Sequence, residues 1–216
     1  MGELAVTRLD RASAKPVMAQ VAGLSARAFD DYPFMRELFP GEAGDPRRAG
    51  IARRFYAATV ADCLAHGVVE VALDGDRLAG YCAWLRPGAY PMPAGRTVAF
   101  LPAAATALRR YPRRARLVAQ ALARVERPHP DHPEHWYLAA IAVDPADQGR
   151  GVGARLIAPG LRRADDGGEP CFLETTRPTA KDWYTRLGFA VQHAEPAFEG
   201  GPLQWFQWRD PQRRRR

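Results

Sequence analysis

The sequence predicts an α/β fold, a mixed central sheet with helices on both faces. Three observations lead there. Short apolar, β-branched runs alternate with segments of helical period along most of the 216 residues. One apolar strand pattern, residues 135–143, feeds through an Asp-Pro turn and a set of glycines into a helix. Hydrophobic residues make up 47% of the chain, enough to bury a sizeable core.

Residues 3–9 alternate in polarity and read as the first strand. Ser13 is placed to cap a helix running to about Phe29, with Val17, Val21, Leu24 and Ala28 on one face. Asp30-Asp31-Tyr32-Pro33 breaks it, since the residue before proline avoids the helical region. Asp45-Pro46 opens a second helix, with aspartate as cap and proline at the first helical position. Ile51, Phe55, Ala58 and Cys63 mark its inner face, and Gly67 stops it. Residues 68–73 and 78–85 flank Asp74-Gly75-Asp76, which makes a β-hairpin. Residues 87–102 are rich in proline and glycine and read as loop, whereas 103–109 and 112–126 read as helices ended by Pro128, His129, Pro130 and Pro133.

Residues 135–143 form an apolar run suited to a buried central strand. A helix over 151–163 follows, with Leu156, Ile157 and Leu161 inward, and Gly167-Gly168 ends it. Residues 171–173 are a strand, 179–187 a short helix, 189–192 a strand, and 203–208 the strand that closes the sheet. The order is βααββ, a helical insertion, then βαβαββ. It implies a single domain over residues 1–210, with 86–133 as a helical and loop insertion and 211–216 as a basic C-terminal tail.

The formal net charge is +7, nearly all of it arginine, since only Lys15 and Lys181 are lysines. The arginines are scattered rather than clustered with aromatics on one element, so no nucleic-acid partner is expected. No segment approaches the ~18 consecutive apolar residues that span a bilayer, and no membrane partner is expected. Met1-Gly2-Glu3-Leu4 reads as neither a secretory signal nor, with Val6 where Ser or Thr would be needed, a myristoylation signal. Cys63, Cys82 and Cys171 are dispersed, which argues for a reduced, cytoplasmic protein with no disulfide frame and no metal site.

The chemistry concentrates after the central strand. Asp144-Pro145-Ala146-Asp147 turns the chain, and Gln148-Gly149-Arg150-Gly151-Val152-Gly153 starts the helix. Backbone N–H groups at a helix start lack partners, and the helix dipole adds partial positive charge. Glycines remove the Cβ atoms that would hold a phosphate away. The product is a pyrophosphate cradle, with Arg150 as a mobile cation. Gly149 to Ala154 also fits the dinucleotide pattern G-x-G-x-x-[G/A]. Two features disfavour that reading. Residues 144–148 separate strand from glycines, and the motif begins about two-thirds of the way along the chain.

Gln148-x-x-Gly151-x-Gly153 resembles the Q/R-x-x-G-x-G/A signature of GNAT acetyltransferases. The resemblance implies a mostly antiparallel sheet, a loop that binds acetyl-CoA pyrophosphate, and a strand, here Ile141, Ala142 and Val143, that pairs with the pantetheine arm. A second stretch, Phe172-Leu173-Glu174-Thr175-Thr176 leading to Asp182-Trp183-Tyr184-Thr185-Arg186-Leu187-Gly188-Phe189, resembles the next motif of the family. It implies that Tyr184 is the general acid that protonates the departing thiolate. Ala180 and Arg177 stand where relatives often carry asparagine. Within the superfamily, residues 28–33, 135–143 and 172–176 resemble the puromycin N-acetyltransferase-like group.

An amine nucleophile needs a base. Glu174, beside the cofactor strand, comes first, and His135, at the head of that strand, second. Asp30, Asp31 and Tyr32 follow the first helix, where the resemblance puts the acceptor. The insertion, with Tyr90, Met92 and Phe100, is the expected lid over the acceptor's apolar body. The expected activity is acetyl transfer from acetyl-CoA, as co-substrate, to a primary amine of a small, antibiotic-like molecule or related metabolite, by direct attack in a ternary complex. The alternative is a catalytically degenerate domain of the same family that binds CoA as a sensor or partner module. The enzyme is expected to be a monomer or homodimer.

Overall fold

A computed structural model describes residues 4–90, 92–125 and 133–212. The elements run β1 (Ala5–Arg8), α1 (Ala14–Ala28), α2 (Pro33–Leu38), α3 (Pro46–His66), β2 (Gly67–Asp74) and β3 (Arg77–Leu85). The insertion carries α4 (Ala94–Thr97), α5 (Leu101–Arg110) and α6 (Ala115–Val125). The second half is β4 (Trp136–Val143), α7 (Val152–Gly167), β5 (Cys171–Thr175), α8 (Pro178–Arg186), β6 (Ala190–Pro196) and β7 (Leu203–Arg209). The expected elements are present, with boundaries moved by a few residues. The end of the insertion helix beyond Val125, the prolines at 128 and 130 and the arginines at 213–216 lie outside the described residues.

The sheet has seven strands in the order β1-β2-β3-β4-β5-β7-β6. Every neighbouring pair is antiparallel except β4 and β5, which are parallel. The last strand was expected to close the sheet. Instead β7 sits inside, between β5 and β6, and β6 is the edge. Burial explains the exchange. Gln207, Trp208 and Arg209 of β7 are buried, whereas β6 is exposed along nearly its whole length.

Each face of the sheet has its own core. On one face α1 and α3 place Val21, Leu24, Ile51 and Val60 against Val71, Tyr81 and Ala83. On the other, α7 places Leu156, Ile157 and Leu161 against Cys82, Trp84 and Leu138. The α7 contact is close. A Cβ on Gly160 would lie 2.4 Å from the Trp84 indole nitrogen, so only glycine fits there. Asp45 caps α3 as expected, its carboxylate accepting from Arg47 N–H at 2.8 Å. Ser13 makes no side-chain cap to α1. Its N–H instead donates to Asp10 at 2.9 Å.

Two helices were not expected. Pro33 ends one helical segment and is also the first helical residue of α2. Six residues are too few to show a helical period. The stretch read as loop from 87 to 102 contains α4 and the start of α5, where Pro102 again sits in the first turn. In both places proline marks a helix start as well as a stop.

Candidate active site

The site grows out of a break in the sheet. β4 and β5 pair only at Trp136↔Cys171 and Tyr137↔Phe172. Beyond that point the strands part, and the β5-facing edge of residues 138–143 has no strand beside it. A bulge helps to turn β4 away. Its register against β3 shifts between Ala83 and Trp84, where Ala83 pairs with Ala140 and Trp84 with Leu138. The opening is part of a cleft of about 1000 Å3. Ile141, Ala142 and Val143 line it.

The glycine loop forms one end. Asp144 caps its turn by accepting from Ala146 N–H at 3.1 Å, and Arg27 pairs with the same carboxylate. Gly149 and Gly151 have φ of +75° and +76°, which L side chains resist, and the space a Cβ would occupy at each is open. Helix α7 therefore starts at Val152 with its first N–H groups facing a bare approach. Two sequence-predicted contacts have other duties here. Arg150, expected as a mobile cation, donates to buried Asp147 at 2.6 Å, and Arg77 holds the same carboxylate at 2.7 Å. The Gln148 amide donates to the Val143 carbonyl at 3.2 Å. Both side chains brace the loop, and the first main-chain N–H groups of α7 stand open at its end. Gly153 faces α8, where a Cβ would touch Trp183 at 3.7 Å.

Tyr184 comes from α8 and is buried against Trp183 and Phe189, and it lines the cleft. Burial, reinforced by Tyr32, Cys82 and Glu174, pushes its phenol well above the usual range, so it keeps its proton at neutral pH. Glu174, near the end of β5, also lines the cleft. The Tyr137 hydroxyl donates to its Oε1 at 2.5 Å. Burial raises the Glu174 carboxyl to about 7, against an opposing pull from that hydrogen bond. A carboxyl that titrates near neutrality can accept a proton from an ammonium and release it again.

Among the acceptor residues expected after α1, Tyr32 alone faces the cleft. Its hydroxyl accepts from Thr176 N–H at 3.0 Å, which ties the chain after α1 to the end of β5. Asp30 instead holds Arg48 at 2.9 Å, and that arginine is 1% exposed. It also accepts from Gly44 N–H at 2.7 Å. Asp31 is exposed and makes a two-pronged pair with Arg177 at 2.5 and 3.0 Å. Arg177, not Asp31, reaches the cleft. His135 does not line the cleft either. It sits at the opposite end of β4 from the glycine loop, its ring between Phe172 and Trp208 and its Nδ1 2.9 Å from the Pro133 carbonyl.

Tyr90, Met92 and Phe100 of the insertion all line the cleft. Facing them are Phe55, Tyr56 and Asp62 of α3 and Phe29 after α1. Tyr137, Tyr56 and Asp62 were not singled out from the sequence. The apolar stripe on α3 reads in the sequence as packing, yet its Phe55 and Cys63 also border the cleft. An open strand edge over a glycine loop at a helix start, with a protonated phenol and a near-neutral carboxyl beside an apolar pocket, suits transfer of a group to a nucleophile.

Comparison with known proteins agrees. The model of the acetyltransferase (GNAT) family matches residues 34–189. Mycothiol acetyltransferase of Nocardia farcinica is 38% identical over 71 residues, 32% of this chain, and the match takes in 23% of that protein's length. A solved structure from Corynebacterium glutamicum, described as histone acetyltransferase HPA2 and related acetyltransferase, aligns with a TM-score of 0.65 at 23% identity over 99% of both chains. The polyamine N-acetyltransferase of Drosophila melanogaster aligns with a TM-score of 0.55 at 15% identity over 96% of this chain and 100% of that one.

Proposed function

We propose, from the premise that this chain belongs to the acetyltransferase (GNAT) family, that it transfers the acetyl group of acetyl-CoA to a primary amine of a small molecule by direct attack in a ternary complex. The parting of β4 from β5 above the glycine loop is the observation that supports this most. It leaves a strand edge for an extended amide-bearing arm and a helix start for a pyrophosphate. When bound, acetyl-CoA supplies an activated acyl group as a thioester. The backbone of residues 148–154 holds the phosphates, and residues 141–143 align the arm. Glu174 takes the proton that an ammonium must lose before it can attack, and the Tyr137 hydroxyl keeps that carboxylate in place. Tyr184 gives its proton to the sulfur as the thiolate leaves. His135, Asp30 and Asp31 have no part in these steps.

The segments resembling the puromycin N-acetyltransferase-like group support an antibiotic-like or related amine as acceptor. The test is release of free thiol from acetyl-CoA on adding amines, with the acetylated amine identified by mass. Stoichiometric thiol and acetyl-amine are expected. Binding of acetyl-CoA without thiol release from any amine would replace this reading with that of a CoA-binding module.

A further inference from the structure

The acceptor half of the cleft shows how much positive charge it can hold. Phe29 stacks on Tyr56 with ring centres 3.8 Å apart, Tyr56 meets Phe55 at 5.1 Å, and Phe55 meets Phe100 of the insertion at 5.5 Å. Tyr90 and Tyr137 add a second pair at 4.5 Å. All six rings line the cleft.

Among the described residues, the carboxylates that reach the cleft are Asp62, Asp147 and Glu174. Asp147 belongs to the glycine loop and is held by Arg77 and Arg150. Asp62 is gripped by Arg96, whose Nε and Nη2 lie 2.9 and 2.5 Å from its two oxygens, and His66 lies 3.2 Å away. Arg96 also donates to the Ala89 carbonyl at 2.6 Å, so the same guanidinium ties the insertion to α3. Glu174 instead takes its hydrogen bond from a neutral phenol. Arg177 also lines the cleft, its charge paired with Asp31 outside it. One ammonium therefore has one carboxylate to meet. A second cation entering this pocket would lose its water and find acids already neutralised.

We infer that the acceptor is an amine with a single positive charge on an aromatic body, and that polyamines and guanidino-amines are refused. This rests on the acetyl-transfer reading above. The refusal comes from Arg96, which removes Asp62 as a second cation site. The aromatic body lies along the Phe29–Tyr56–Phe55–Phe100 wall, where flat rings gain from stacking as well as burial.

The experiment compares rates of thiol release from acetyl-CoA with phenethylamine, butylamine, agmatine and spermidine. Phenethylamine is expected to exceed agmatine and spermidine in kcat/KM by about 100-fold or more, and butylamine by about tenfold. In Arg96→Met, shown by its melting curve to be folded, the preference for phenethylamine over agmatine should fall about tenfold as Asp62 becomes available. No thiol release with any amine overturns the transfer reading and this inference with it. Fastest release with agmatine or spermidine leaves the transfer reading standing and overturns this one. Equal rates for butylamine and phenethylamine remove the aromatic body. A folded Arg96→Met with unchanged preference removes Asp62 as the reason. If that variant does not fold, the native panel decides alone.

Discussion

The two halves of the cleft are built from different material. The half assigned to acetyl-CoA is mostly main chain, namely the open edge of β4, the positive-φ glycines at 149 and 151, and the first N–H groups of α7. The acceptor half is side chains, drawn from the end of α1, from α3, from β4 and from the insertion. A ligand shared by many proteins can be met by backbone, which any sequence supplies if glycine and turn residues stand in the right places. A particular acceptor has to be met by side chains, which can change without disturbing the strands. Tyr184 and Glu174 lie where the halves meet.

Substitutions at that boundary should have the largest effect. Tyr184→Phe removes the phenolic proton and little else, since the ring still packs on Trp183 and Phe189. We expect kcat to fall roughly 10²- to 10⁴-fold with acetyl-CoA affinity unchanged. Steady-state kinetics beside calorimetry tests this. A near-normal kcat would mean that solvent protonates the thiolate.

Glu174→Gln follows, with a loss of roughly 10²- to 10³-fold in kcat. It also has a stability signature. The folded protein holds this carboxyl's proton up to about 7, whereas an ordinary carboxyl lets go near 4.5. Stability therefore falls as pH rises through that window. The penalty is absent below it and complete above it, on the order of 3 kcal/mol. Glutamine stays neutral and can still accept from Tyr137. The variant should melt above the native protein in alkaline buffer and with it in acid. Coincident melting curves at every pH would mean that Glu174 is not buried as a proton holder.

Gly151→Asp probes the main-chain half. Any side chain at φ +76° strains the backbone by roughly 1–2 kcal/mol, so Gly151→Ala is the control. Aspartate adds a negative charge at the helix start. Its acetyl-CoA Kd should exceed that of the alanine variant by about tenfold or more, and added salt should narrow the gap. Equal affinities would place the phosphates elsewhere.

The main-chain half was largely legible in the sequence because its parts are contiguous: strand, Asp-Pro turn, glycines and helix start occupy residues 136–153. Its side-chain details were not, since Arg150 and Gln148 find partners only after folding. The acceptor half was legible in its apolar and aromatic character, through Tyr90, Met92 and Phe100, but not in its charges. Asp30 and Asp31 look like a cation site in one dimension. In three, Arg48 and Arg177 reach them from positions 18 and 146 residues away. Nothing local in the sequence announces either pairing, nor the Tyr137 hydroxyl that meets Glu174 across 37 residues.

Asp31 yields the smallest and most discriminating effect. It lies outside the cleft, yet it neutralises Arg177, which lies inside. The Arg177 guanidinium, held beside it, keeps the Asp31 carboxyl below the usual range, and the pair is accessible to solvent at the Asp31 end. Such a pair contributes at most about 1 kcal/mol to stability. In Asp31→Asn the guanidinium is left uncompensated and repels an incoming ammonium through a partly aqueous path. The acceptor KM should rise only about two- to threefold, and the rise should vanish in roughly 0.5 M salt, where the screening length is a few ångströms. The acetyl-CoA KM should stay put. A direct contact between Asp31 and the amine would instead cost about tenfold and persist in salt, because a desolvated ion pair is poorly screened. The size and the salt response together thus report whether Asp31 touches the acceptor or only sets the charge of a residue that does.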